Sequence, residues 1–377
     1  MALAALVNRA GSMVFVFTPI WLVQVHGFAD HDAISTVGLF GAGAILGTLI
    51  GGWLTDHIRA LPVQLGTLVG MALGFVLLSR STDPTAIRGL IFSTGLLGQA
   101  FRPANDTLLA AVCPPADRTR AFGLHRLAVN LGWAIGPALG GLLTEISWHL
   151  LFWADSLTCL LAAAVLLASF KHLDTRALGR AAPPEPARAG GPLRDPLFLA
   201  FVGCLLLAGL VLMQFFSTLS VYLSEALAWS PAEIGALQAL NPILIVLLEM
   251  LIVQRLQHAN PLVVVASGAL MIGLGFGLLS LSPATLWIVL CMLILTLGDM
   301  LLLPFSVSFA ADRATDRTRG RYLAIYGLAF SLALTGAPVL GGLVQRQYGW
   351  HALWIGSGAL GVAATVGLLV LARVARR

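Results

Sequence analysis

Residues 123–141 read GLHRLAVNLGWAIGPALGG. Gly132, Gly136 and Gly140 recur every fourth residue and so share one side of a helix. Pro137 lies inside the same helix, where it removes a backbone donor and bends the rod. In water, each such glycine would weaken a helix by about 1 kcal/mol relative to alanine. In lipid, a small-xxx-small face lets a neighbouring helix approach closely, and nearby groups can satisfy the carbonyl that proline frees. The stretch reads as a membrane helix built for close packing.

The whole chain carries the same message. Its 377 residues are 58% hydrophobic and only 10% charged, against about a quarter charged in soluble domains. The mean hydropathy is +0.90. Apolar runs fall at 2–25, 34–55, 61–80, 86–112, 120–144 and 147–170, and again at 196–224, 232–254, 261–281, 284–311, 320–345 and 350–372. Each suits a span of about 20 residues, so twelve membrane helices are expected, with no room for a separate soluble domain. Met1 opens directly into an apolar run with no basic region before it, so no cleaved signal is expected. Residues 171–195, KHLDTRALGRAAPPEPARAGGPLRD, lack apolar periodicity and read as a solvated linker. The expected plan is a six-helix bundle at 1–170, a linker at 171–195 and a second bundle at 196–377.

The halves repeat. ADRTRAFGLHRLAVNLGWAIGPALGGLLTEISWHLLFW, from Ala116, aligns with TDRTRGRYLAIYGLAFSLALTGAPVLGGLVQRQYGWHALW, from Thr315. Pro137 maps onto Pro338, Gly140-Gly141 onto Gly341-Gly342, and Trp148-His149 onto Trp350-His351. Asp56 and Pro62 likewise map onto Arg255 and Pro261. A period of this size in an apolar chain means a duplicated bundle.

Basic residues set the expected orientation. With both termini in the cytoplasm, 17 of the 22 Lys and Arg residues fall on inner loops and only Arg80, Arg88 and Arg346 on outer ones; Arg9 and Arg102 lie within spans. The scattering of these charges, at a net +5, argues against nucleic acid as a partner. Cys113, Cys159, Cys204 and Cys291 are far apart in apolar segments and read as small buried hydrophobes, with no metal-ligand spacing. The single lysine, Lys171, follows Phe170, so no phosphate-binding GxxxxGK[ST] exists and ATP-driven transport by this chain alone is excluded. There is no HExxH and no GxSxG elbow, which leaves an embedded enzyme little to work with. No cofactor is expected.

Gly123, Gly132, Gly136, Pro137, Gly140 and Gly141 resemble the glycine-proline motif of the fifth helix in drug:proton antiporters of the major facilitator superfamily. The stretch GGWLTDHIRALPV, from Gly51, is similar to the family's loop between helices two and three, with Gly52, Asp56 and Arg59 fitting loosely and Arg59 standing where that loop usually has glycine. Asp56 is disfavoured by the dipole at a helix C-terminus, which a nearby Arg118 or Arg120 would correct. The resemblance implies two pseudo-symmetric six-helix bundles rocking about a midplane site. It also implies export of a small amphipathic compound in exchange for protons by a monomer in the inner (plasma) membrane. The rival on the same fold is an importer of a sugar or organic anion, which Arg9 and Arg102 could serve. Gly43, Gly47 and Gly51 put a second small-residue face on helix two, and in the family helices two and five contact the opposite bundle.

Charges inside spans are the candidate site, because an ionisable group at bilayer depth is costly without a partner or water. Arg102 and Asp106 lie one turn apart on the fourth span, flanking Pro103, as a cavity-lining pair in which Asp106 takes up a proton. Asp299 lies near the middle of the tenth span with no basic residue within a turn of it in sequence, so it is expected to be protonated much of the time and is the leading proton carrier. Arg126 and Glu249 are expected to pair as a gate, and Arg9 with Asp106 more weakly. Asp155 is expected to snorkel to water. Asn130, Gln214, Phe215, Phe216, Tyr222, Asn241 and Tyr326 are candidates to line a mixed apolar and amide-rich pocket.

Overall fold

A computed structural model describes residues 1–113, 118–170, 192–313 and 319–375, with the side chains of Asp56, Ala110, Ala111, 118–123, Arg126, Arg319 and Gly320 outside the description. The described residues are helical, with no strand among them. The helices are α1 (Ala2–Ala10), α2 (Met13–Gln24), α3 (Asp30–Ile58), α4 (Ala60–Arg80), α5 (Pro84–Val112), α6 (Arg118–Ile146), α7 (Trp148–Phe170), α8 (Pro196–Leu212), α9 (Thr218–Val221), α10 (Pro231–Leu256), α11 (Pro261–Gly277), α12 (Thr285–Asp312) and α13 (Arg319–Val374). The first span is α1 and α2 broken at Gly11-Ser12; the seventh is α8 and α9 joined by a 3-10 turn at Met213–Phe216. Helix α13 holds two spans that meet at Gly349, whose φ of 79° no straight helix contains. Ten segments are long and apolar enough to cross a membrane, the last of them 54 residues long. Dividing that one at Gly349 and adding the 29-residue α5, which carries Arg88, Arg102 and Asp106, accounts for all twelve spans.

Local chemistry sets the helix starts. Asp83 accepts from Ala86 N at 2.7 Å ahead of Pro84, Asp195 from Phe198 N at 3.1 Å ahead of Pro196, and Asn260 from Leu262 N at 3.0 Å ahead of Pro261. Each is a side-chain N-cap followed by proline at the first helical position, where the missing donor costs nothing. At α10, Glu233 accepts from Ser230 N and Ser230 Oγ accepts from Glu233 N, a reciprocal capping box.

The chain packs as two units, Met1–Pro184 with Leu223–Ile243, and Glu185–Tyr222 with Leu244–Arg377. In the first, the glycine face of α6 lies on α1 and α2. A Cβ on Gly132 would fall 2.6 Å from Arg9 Cβ and 2.8 Å from Leu6 O; one on Gly140 would fall 2.9 Å from Met13 Cβ. Gly43, Gly47 and Gly51 of α3 meet Phe92, Leu96 and Ala100 of α5, and Gly95 of α5 meets Phe40 in return. The nearest neighbours of both small-residue faces lie among the first six spans. The next position round α6 does reach past them: Gly141 meets Pro231 and Ala232, and Gly235 meets the Pro137 carbonyl, so the first half of α10 packs with the first unit.

The second unit repeats the arrangement. Gly336 of α13 lies 3.2 Å, measured from an added Cβ, from Leu210 of α8, and Gly341 meets Gln214 and Thr218 at the α8–α9 break. In both units a glycine-proline helix rests on a broken first helix. Elsewhere in the second unit α11 is held to α12 and α13 by glycines: Gly268 faces Gly298, and Gly273 faces Gly361.

Arg59 joins α3 to α4 with φ 100° and ψ 156°. That conformation belongs to glycine, and holding a side chain there costs about 1–3 kcal/mol. Arg59→Gly is therefore expected to raise the melting temperature of the detergent-purified protein; an unchanged or lower value would contradict the strain.

Candidate transport site

Helix α2 begins inside the bundle, so its first backbone N–H groups have no carbonyl of their own helix to bond. Asp155 of α7 supplies the acceptor: its Oδ1 accepts from Met13 N at 3.3 Å and its Oδ2 from Val14 N at 2.8 Å. Its side chain is 0% exposed. The expected snorkelling of Asp155 to water is thus incorrect. The break at Gly11-Ser12 creates donors at that depth, and the Asp155 carboxyl accepts from them at the positive end of the α2 dipole. Around it lie Asn8, whose Nδ2 donates to Cys159 Sγ at 3.6 Å, and Thr158.

A second polar cluster joins α4, α5 and α6. Gln64 Nε2 donates to Asn105 Oδ1 at 2.9 Å. Asn105 Nδ2 lies 3.0 Å from His125 Nε2 and makes a long 3.4 Å bond to Asp106 Oδ1. Gln64 and Asn105 are buried, at 1% and 3% exposure. Asp106 and Arg102 are exposed on the open side of α5. Among the described residues, neither Arg9 nor Arg102 forms an ion pair with Asp106. The expected pairs are therefore not formed: Arg9 and Arg102 lie within electrostatic range of each other, while Asp106 lies within range of His125. Sequence reading missed Gln64, Asn105 and His125. The available signal was His125 within the glycine-proline stretch itself.

In the second unit Asp299 is buried at 8% exposure on α12, beside Gly298, where the helix touches α11. Gln214, expected in the pocket, is committed to packing. Its Nε2 donates to Ala337 O at 3.1 Å, next to Pro338, and its Oε1 accepts from Thr218 Oγ1 at 2.6 Å. Phe215 is buried and stands edge-on to Phe216, and Tyr222 packs on Trp350 and Trp354. Tyr326 is half-buried and its hydroxyl lies 3.0 Å from Ser306 Oγ. Asn130, Asn241 and Glu249 are half-buried. The expected Arg126–Glu249 gate and the pairing of Asp56 with Arg118 or Arg120 fall on side chains outside the description. Most of the linker does so too.

One ion pair ties the second unit at the foot of α8. Asp195 accepts from Arg313 Nε at 2.5 Å and from Nη2 at 2.9 Å, and from the Tyr322 hydroxyl at 3.1 Å. Partial burial alone would raise this carboxyl; the bonds from Arg313 and Phe198 N outweigh it and hold the group below its ordinary value.

Broken helices with polar groups gathered at the breaks, in two like-built halves of a twelve-span chain, define a membrane solute transporter. The sequence matches the Major Facilitator Superfamily over residues 1–315, and the chain belongs to that family. It is 23% identical to a "Na(+), Li(+), K(+)/H(+) antiporter" of Planococcus maritimus, over 94% of this chain and 90% of that one. It is 27% identical to "Multidrug resistance protein MdtH" of Yersinia pestis, over 77% and 71%. Among solved structures, a POT family transporter in complex with 5-aminolevulinic acid superposes with a TM-score of 0.86 at 15% identity, covering 99% of this chain and 95% of that one. The nucleoside transporter NupG does so with 0.80 at 13%, covering 98% of each. These likenesses establish the fold. The protein is a secondary transporter.

Replacing Asp155 with Ala strands the Met13 and Val14 donors in a dry interior. A lost buried partner costs about 1–3 kcal/mol, so Asp155→Ala should melt well below wild type. Asp155→Asn, which keeps one acceptor, should fall between the two. Equal melting of all three proteins would refute the capping role.

Proposed function

We propose that the protein exports small amphipathic compounds in exchange for protons by alternating access. The observation that carries this reading is Asp299, a carboxyl buried in the middle of a long apolar helix. Ionisable groups at that depth are costly, and where they occur they mark solute or proton pathways. Asp299 and the exposed Asp106 alternate between proton and substrate, and Arg102 tunes Asp106. Asn130, Asn241 and Tyr326, all half-buried, remain the candidate substrate contacts. Arg126 and Glu249 gate the side on which the basic loops lie. The charge bias of the loops supports an inner-membrane protein with both termini in the cytoplasm. The multidrug and cation-antiporter names of the two relatives support exchange over uptake.

The Planococcus relative's name favours one second reading, exchange of monovalent cations for protons on the same carboxyls.

Everted membrane vesicles test both readings. With an inside-acidic pH gradient, wild type should accumulate ethidium, and collapsing the gradient should release it. Asp299→Asn and Asp106→Asn should each cut accumulation by about tenfold, the loss of a coupling of roughly 1–3 kcal/mol. Gradient decay on adding sodium but not ethidium would favour the cation reading. Wild-type accumulation in both variants would reject the assignment of the carboxyls.

A further inference from the structure

We infer that His125 is a proton-binding site whose charge is relayed to α4 and to Asp106 by rotation of the Gln64 and Asn105 side-chain amides. The inference deepens the proton-coupled reading and rests on it for its purpose.

The geometry carries it. Asn105 has one oxygen and one nitrogen to share between Gln64 and His125. Because its Oδ1 accepts from Gln64, its Nδ2 is left to face His125 Nε2 at 3.0 Å. A ring nitrogen that accepts from an amide N–H carries no proton, so this arrangement holds the neutral ring with its proton on Nδ1. Two buried atoms then have no partner among the described residues: Gln64 Oε1 and His125 Nδ1. Now let hydronium from the solution protonate Nε2, forming the new N–H bond and leaving water. The ring becomes a donor on both nitrogens and meets the donor Nδ2 of Asn105. Turning the Asn105 amide through half a circle presents Oδ1 to the ring instead. Its Nδ2 then points to Gln64, which turns in the same way and offers the Oε1 that had no partner. The same heavy atoms thus support two Gln64–Asn105–His125 chains, one that suits the neutral ring with its proton on Nδ1 and one that suits a ring with a proton on Nε2. Gln64 Oε1, orphaned in the neutral state, is satisfied in the protonated one, while His125 Nδ1 gains no partner among the described residues in either; an orphan in a finished core costs about 1–3 kcal/mol.

The surroundings suit such a switch. Asp106 of α5 lies within electrostatic range of His125 and loses its bond from Asn105 when the amide turns, so it gains a cationic neighbour as it gives up a neutral one. From α1, Arg9 and the Met1 amino group oppose protonation. Helix α4 contributes only the uncharged Gln64. The other packed helices bring no further charge into the ring's electrostatic surroundings among the described residues. Arg126, next in sequence, lies outside the described side chains. A substrate or second ion arriving at the exposed Asp106 would therefore be felt at the ring, and the ring's proton would be felt at Asp106.

The test reads the full-length protein in nanodiscs by NMR, with isotope-labelled histidine, asparagine and glutamine. His125 is assigned among the eight histidines as the signal missing from His125→Gln. The expected result is a ring titration between about pH 5 and 8, with the Asn105 and Gln64 amide signals moving at the same midpoint. In Asn105→Asp, a fixed carboxylate against the ring should move that midpoint up by about one pH unit or more. That variant also serves if His125→Gln does not fold. A ring that keeps one charge throughout, or a titration that leaves both amides still, would overturn the proposal. Failure of wild-type vesicles to accumulate ethidium would sink the export reading and leave this titration as it is.

Discussion

Backbone laid directly on backbone is the constraint from which the rest follows. Lipid gives helices no hydrophobic reason to associate, so they are held by dispersion and by hydrogen bonds that only close approach permits. In the first unit Gly132 and Gly136 of α6 bring the backbone of the broken first span close, and Gly140 makes room for Met13 and Phe17. In the second unit Gly341 makes room for the Gln214 and Thr218 side chains at the α8–α9 break, and the Gln214 amide bridges to the backbone beside Pro338. A break in a helix at that depth exposes donors and acceptors. Asp155 and Gln214 answer them. The costly polar groups are thus tied to the places where the rods are interrupted.

Much of this could be read from the sequence, for physical reasons. Apolar length counts spans, and the repeat of P-xx-GG with its following aromatic-His pair announces duplication. The glycine spacing gives a face. It does not give the neighbour: a helical face is a local property, whereas its partner is set by how six rods pack. For that reason the meeting of Gly43, Gly47 and Gly51 with α5 was not legible in their spacing. Asp155 shows a second limit. Depth can be counted along a helix, but the donors that hold this carboxylate arise only because α1 stops at Gly11-Ser12, more than 140 residues away in sequence. Gln214 looked free to bind solute because a lone amide in an apolar run has no visible partner until the turn at Met213–Phe216 and the carbonyl of Ala337 are brought together.

The charges divide accordingly into two kinds. Asp155 and Asp195 are fastened, the first by two backbone donors and the second by a guanidinium, a hydroxyl and a backbone N–H, and each holds helix ends together. Asp106, exposed beside a histidine it can sense, is of the other kind, and Asp299 is set at mid-helix on α12. A transporter needs both: fastened polar groups so that each bundle moves as a body, and groups whose charge can change with what is bound.

Thermal melting of Gly132→Val beside Gly66→Val tests the central claim most directly. An added side chain at Gly132 meets Arg9, Leu6 and Ala10, while one at Gly66 meets nothing within 4 Å. The account predicts a clear loss of stability for Gly132→Val, about 1–3 kcal/mol from overpacking, and none for Gly66→Val. Equal melting of the two variants would mean that α6 does not rest on the first span, and the account would fail.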